Sequence, residues 1–343
     1  MENSVSAKKT SSSKFKAFLR RKEVGTFGIL IAIWIVLSLF NKNYATINNL
    51  ATIMKTLSFY GVITAGLSLV LIQGDKDMST GGSAGFAAVL GTAIMLNTRC
   101  MGLQGTSNEF LGVIICILIT MVIGMMVGAV TSVMVVTLNL PPFIATTAMR
   151  YVLQGCIMIV TGGSYVYPLP ESFNAIGNVG IPVGSSMISI YFLIMLVLLA
   201  IVAVVLTCTK YGRSVYATGS NRIAAQLAGI NTTRVRYTNY IILHALTALA
   251  GLLNASYIQQ GSPNIGRDWE LTAVAACAIG GISMRGGSGN MVGLLIGLFT
   301  LFSINSAIAY IGINTFLQDV VVGVVLLVIV VMEQVSAKRK IKA

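Results

Sequence analysis

The chain reads as an all-α, polytopic integral membrane protein with about ten transmembrane helices and both termini in the cytoplasm. Apolar runs recur along its 343 residues, each near the ~20 residues that cross a hydrocarbon core of about 30 Å. Charged residues make up 10% of the chain against 55% hydrophobic, and mean hydropathy is +0.85; a soluble domain of this length needs many more charges to cover its surface. The runs are apolar throughout, unlike barrel strands, which alternate apolar and polar over roughly 10 residues. The net charge of +13 sits in the tails and a few loops, so it reads as membrane orientation rather than nucleic-acid binding.

Residues 1–24 form a basic tail that includes "KKTSSSKFKAFLRRKE". No small-residue cleavage site follows it, so it is expected to stay as a cytoplasmic tail. Spans follow near 25–41, 54–73, 80–97, 110–137, 143–161, 187–208, 237–258, 271–283, 290–308 and 313–332. They make one domain, 25–333, ahead of a second basic tail, 334–343. The third and eighth spans are short and rich in Gly, Ala and Ser, which permits close packing or a broken helix. With the N-terminus inside and the spans alternating, the inner segments collect both tails, Lys76, the loop 209–236 and Arg285. Lys42, Lys55, Arg99 and Arg267 fall outside or near the outer face, and Arg150 falls in a span. Basic tails at both ends require an even number of spans. The connection 162–186 has no Lys or Arg, lies outside, and is too rich in Gly and Pro for one long helix. Trp34 and Trp269 are placed as interface anchors.

The loop 209–236 carries Lys210, Arg213, Arg222, Arg234 and Arg236 and no acid. Within it "SNRIAAQLAGI" has a short helix's signals: Ser220 or Asn221 as cap, Gly229 as stop. Ile223, Leu227 and Ile230 share one face. Two readings stand: a basic loop resting on anionic lipid heads, or a small helix offering its face to a cytoplasmic partner.

Other polar residues are sparse. The single His244 reads as a packed or hydrogen-bonded core residue. The five cysteines, Cys100, Cys116, Cys156, Cys208 and Cys277, read as buried apolar residues, with no metal or disulfide spacing. Arg150 and Asp319 are costly in lipid and should face protein or water; a mutual pair is one such arrangement. Asp75, Lys76 and Asp77 form either a solvated turn or the polar end of a broken helix beside a cavity. Phe143, Thr146 and Thr147 either line a path for a hydroxylated solute or pack helices. No Gly-Lys pair is present, hence no Walker A loop, and no nucleophile–base pair or metal cluster stands out.

"YATGSNRIAAQLAGINTTRVR" resembles the cytoplasmic segment of sugar-type ABC-importer permeases, with its Gly-x-Asn-x-x-Ala-Ala-x-x-x-Gly-Ile pattern. "INNLATI", "PPFIATTAMRYVLQGCIMIVTGG" and "ELTAVAACAIGGISMRGGSGNMVGLLIGLF" resemble further stretches of that family, in order, across roughly 25–335. The resemblance implies the membrane subunit of a bacterial inner-membrane importer for ribose or a related monosaccharide, working by alternating access and without a cofactor or catalytic residues of its own. Implied partners are a separate ATPase, an extracytoplasmic solute-binding protein, and a second permease copy or paralogue completing a dimeric pore in membrane lipid. It places coupling to the ATPase on Gly219, Asn221, Ala224, Ala225, Gly229 and Ile230. Candidates for the path are Asp77, Ser79, Phe143, Thr146, Thr147, Glu270 and Thr272. Asp75, Lys76 and Thr272 depart from the family's usual residues, which leaves the solute open. Branched-chain amino-acid or nucleoside import is the alternative within the class, and an ion-coupled secondary transporter the alternative outside it.

Overall fold

The computed structural model describes residues 22–41, 43–103, 105, 108–312, 317, 318, 320–324, 327, 328 and 331. Asp319, the C-terminal tail, most of the N-terminal tail and much of the tenth expected span lie outside them. Helices cover the other nine expected spans: α1 (Lys22–Phe40), α2 (Ile47–Ile72), α3 (Thr80–Asn97), α4 (Glu109–Ser132, continued by a π-helical turn Val133–Thr137), α5 (Pro142–Thr161), α6 (Ile190–Cys208), α9 (Thr232–Ile258), α10 (Trp269–Ile279) and α11 (Met291–Ile311). Two more, α7 (Lys210–Ser220) and α8 (Arg222–Leu227), lie within 209–236. Among the described residues six helices, α2, α4, α5, α6, α9 and α11, are long and apolar enough to cross a membrane.

Burial sorts these helices. α2 and α9 lie against each other at the centre, with α3 and α4 packed on α9, and α6, α10 and α11 on α2. Nearly all of α2 from Leu57 to Ile72 is buried. By contrast α4, α5 and α6 turn Val122, Met126, Val130, Ile144, Val197 and Ile201 outward, as lipid-facing helices do. Trp269 is buried, and Trp34 donates its Nε1–H to Ser303 Oγ at 2.9 Å. Both therefore bind helix to helix.

Small residues set the contact of α4 with α9. Gly124 and Gly128, four apart on α4, lie against the backbone of α9: a Cβ at either would stand 2.7 Å from the carbonyl oxygen of His244 or Tyr240. Such spacing lets two backbones approach in a medium that offers no hydrophobic drive between helices. Gly128→Leu is expected to cost about 1–3 kcal/mol by overpacking. It should lower the thermal midpoint in detergent, and an unchanged midpoint would show that the helices can separate freely.

The connection 162–186 is packed, and it corrects the all-α expectation locally. A helical turn, Glu171–Ala175, leads to a hairpin of β1 (Gly180–Val183) and β2 (Ser186–Ser189), with Gly180 opposite Ser189. Gly184, at φ +60°, opens its two-residue turn, where glycine tolerates the left-handed backbone. Glu109 at the start of α4 pins the connection by accepting from Ser172 N (3.0 Å) and Oγ (2.7 Å).

Two breaks interrupt the helical bundle. The chain leaves helix at 73–79, before α3, and again at 280–290, between α10 and α11.

Candidate functional site

The stretch 209–236 is a run of three capped helices. Thr209 starts α7 by accepting from Gly212 N at 3.0 Å. Asn221, extended at φ −158°, starts α8 by accepting from Ala224 N at 3.0 Å. Asn231 starts α9 by accepting from Arg234 N at 2.9 Å. α8 ends in paired bonds, Gly229 N to Gln226 O (2.9 Å) and Ile230 N to Ala225 O (3.0 Å), with Gly229 at φ +82°. This is the glycine-terminated Schellman arrangement. Asn221 and Gly229 thus hold the places read for them, and Asn221 rather than Ser220 is the cap. The sequence does not signal α7: Gly212 and Gly219 weaken its local propensity, and packing against α6, α9 and α2 supplies the rest.

Outward, α8 shows Ile223 (71% exposed) and Leu227 (86% exposed), with Ala224 beside them. Ile230 is half-buried against the core. Ala225, expected to face a partner, is 4% exposed and packs inside its own chain; a six-residue helix lying on a bundle must turn one side inward.

Inward, the loop meets both breaks. Gly287 N donates to Ile72 O at 2.8 Å, and Tyr216 OH donates to Gly289 O at 2.7 Å. Gly219 presses on Ile72 O and Gly287 N so closely that no Cβ fits, and a Cβ on Gly286 would stand 2.7 Å from Gly74 Cα. Gly74 (φ +92°) and Gly286 (φ +91°) adopt backbone that L side chains rarely take. Three backbone segments therefore cross at one point with no side chains between them.

The acidic turn 75–77 is not solvated. Asp75 is 2% exposed and Asp77 is fully buried; only Lys76 is exposed. The base-rich loop finds its acid here. Asp75 accepts from Arg236 Nε at 2.7 Å, from Arg236 Nη2 and Arg222 Nη2 at 3.2 Å each, and from Gln73 Nε2 at 3.0 Å. Gln73 Oε1 accepts from Asn239 at 2.6 Å, and Asn239 accepts from Tyr211 OH at 2.6 Å. Burial raises the Tyr211 phenol well above its usual pKa, so it remains a donor.

Asp77 accepts from Ser79 N and Oγ, both at 2.6 Å, and lies 3.2 Å from His244 Nε2. His244 Nδ1 lies 3.0 Å from Ser83 Oγ. His244 is thus the hydrogen-bonded core residue expected, with a carboxylate partner that the sequence does not point to. Thr146 is buried and accepts from Met78 N at 2.9 Å, which joins α5 to the same break. Glu270, also buried, sits 2.7 Å from Arg150 Nη1, and Arg150 Nη2 donates to Asp268 at 2.8 Å. Arg150 therefore pairs with the start of α10. Phe143 is 56% exposed, Thr147 is half-buried and bonds within α5, and Thr272 is half-buried. So Asp77, Ser79 and Thr146 converge on one break, Glu270 stands at the head of α10, and Phe143 and Thr147 lie toward the surface. Among the described residues no three His, Cys, Asp or Glu side chains converge as a metal site would.

Long apolar helices around two broken segments, with a capped helical loop locked to both breaks, define a polytopic membrane permease. The family model described as branched-chain amino acid transport system / permease component matches residues 49–330, and the chain belongs to that family. It is 30% identical over 321 residues to the ribose import permease protein RbsC of Escherichia coli K12, covering 93% of this chain and 95% of that one. It is 26% identical to the galactose/methyl galactoside import permease protein MglC of Haemophilus influenzae, over 95% and 98% of the two chains. With the autoinducer 2 import system permease protein LsrC of Yersinia pseudotuberculosis it shares 28% identity, over 92% and 86%. No solved structure matches the chain.

Proposed function

We propose that this chain is the membrane-spanning subunit of an ATP-driven bacterial importer for a small sugar, ribose or a related monosaccharide, with both tails and 209–236 in the cytoplasm. The observation that carries the reading is α8, which is capped at both ends, exposes Ile223 and Leu227, and follows directly on α7, whose Gly219 and Tyr216 meet both breaks. A separate ATPase docks on that face. Its closure on ATP favours one arrangement of the breaks over the other, and a difference in binding to two states is what shifts their populations. An extracytoplasmic binding protein delivers solute to the opposite end, and a second permease copy or paralogue completes the pore. The solute class follows relatives named for ribose and for galactose and methyl galactoside. Import of branched-chain amino acids is the second reading, favoured by the family's description.

Proteoliposomes carrying the permease, its ATPase and its binding protein test this. ATP-dependent uptake of labelled ribose or another monosaccharide is expected, and uptake of leucine in its place would favour the second reading. The purified chain alone should hydrolyse no ATP. Robust hydrolysis without the ATPase would overturn the assignment.

A further inference from the structure

The loop and the first break are joined by charge as well as by backbone, and the two arginines concerned are not equivalent. Arg236 grips Asp75 through Nε and Nη2 together, with its side chain 7% exposed. Arg222, the first residue of α8, reaches the same carboxylate through Nη2 alone, with its side chain 41% exposed. Its Nε is buried and unpartnered among the described residues. One contact is thus complete and enclosed, while the other is half-made and open to water. Beyond Asp75 the run continues inside the chain: Asp77 holds Ser79 N, and α3 begins at the next residue.

We propose that Asp75 is a positioning residue that transfers displacement of α8 to the break before α3, with Arg222 as the adjustable contact and Arg236 as the fixed one. The inference rests on the permease reading and adds to it the route of transmission. Arg236 keeps Asp75 neutralised whether or not Arg222 is engaged, so the fold does not depend on Arg222. A shift of α8 changes the Arg222–Asp75 distance first. The 73–79 segment follows: Gln73 N, Gly74 N and Asp75 N hold its start to Leu69 O, Leu71 O and Val70 O of α2, and beyond Asp75 the backbone runs outside helix until α3. Tyr211 and Asn239, bonded through Gln73 to the same segment, tie α7 into the movement.

Arg222→Gln separates this role from a structural one. In the reconstituted full complex the variant should insert, co-purify with the ATPase and melt as the parent does. Solute imported per ATP hydrolysed should fall about tenfold. Arg222→Lys, which keeps the charge, should restore most of that ratio. A parent-like ratio in Arg222→Gln would overturn the proposal, and so would loss of ATPase co-purification, which would place Arg222 on the docking face. A parent complex that neither binds the ATPase nor imports solute would instead overturn the permease reading beneath it.

Discussion

Replacing both Ile223 and Leu227 with glutamate is expected to abolish ATPase co-purification and to cut uptake at least about 100-fold, while membrane insertion stays at parent levels. The two side chains are 71% and 86% exposed, so their loss costs the isolated permease little. Burying each against a partner is worth about 1.5–3 kcal/mol, and a carboxylate left unpaired in that contact adds several more. Each 1.4 kcal/mol is tenfold in affinity, so about 3 kcal/mol already exceeds the 100-fold effect. If instead this face rests on anionic lipid, the added acids would weaken attraction by only about 1 kcal/mol each, and co-purification would survive.

Asp77→Ala should act on assembly before transport. The carboxylate occupies Ser79 N, Ser79 Oγ and His244 in a fully buried setting. Deleting it strands those groups, and each buried donor left unsatisfied costs about 1–3 kcal/mol. Low yield of monodisperse protein and a depressed thermal midpoint are the expected readouts. Asp77→Asn keeps an acceptor for Ser79 N and should recover much of the yield. Full yield of Asp77→Ala with uptake alone lost would mark Asp77 as a solute contact instead of an internal strut.

The residues most legible in the sequence are those whose signal is local. Asn221 as cap, Gly229 as stop and the apolar runs depend on neighbours within a few positions, and the helices stand where those runs are. The pairings that the sequence does not report are long-range. Asp75 meets Arg222 and Arg236, and Asp77 meets His244, across separations of 147 to 167 residues. No periodicity reports such pairs, so from sequence alone a solvated turn at 75–77 stays open. The paired glycines at 286–287 are legible as a place where helix ends, though not as the point where three backbones cross. Ala225 shows the remaining difficulty: on a short helix, composition does not say which side faces the rest of the chain.

A cross-link from α8 tests the central claim most directly. In a background lacking the native five cysteines, Leu227→Cys would be treated with a short bifunctional maleimide in membranes that contain the cognate ATPase. The expected result is a product joining the permease to the ATPase, with labelling by an impermeant maleimide in inside-out vesicles and none in intact cells. Labelling of Leu227→Cys in intact cells, with no ATPase adduct, would contradict both the orientation and the docking role of α8.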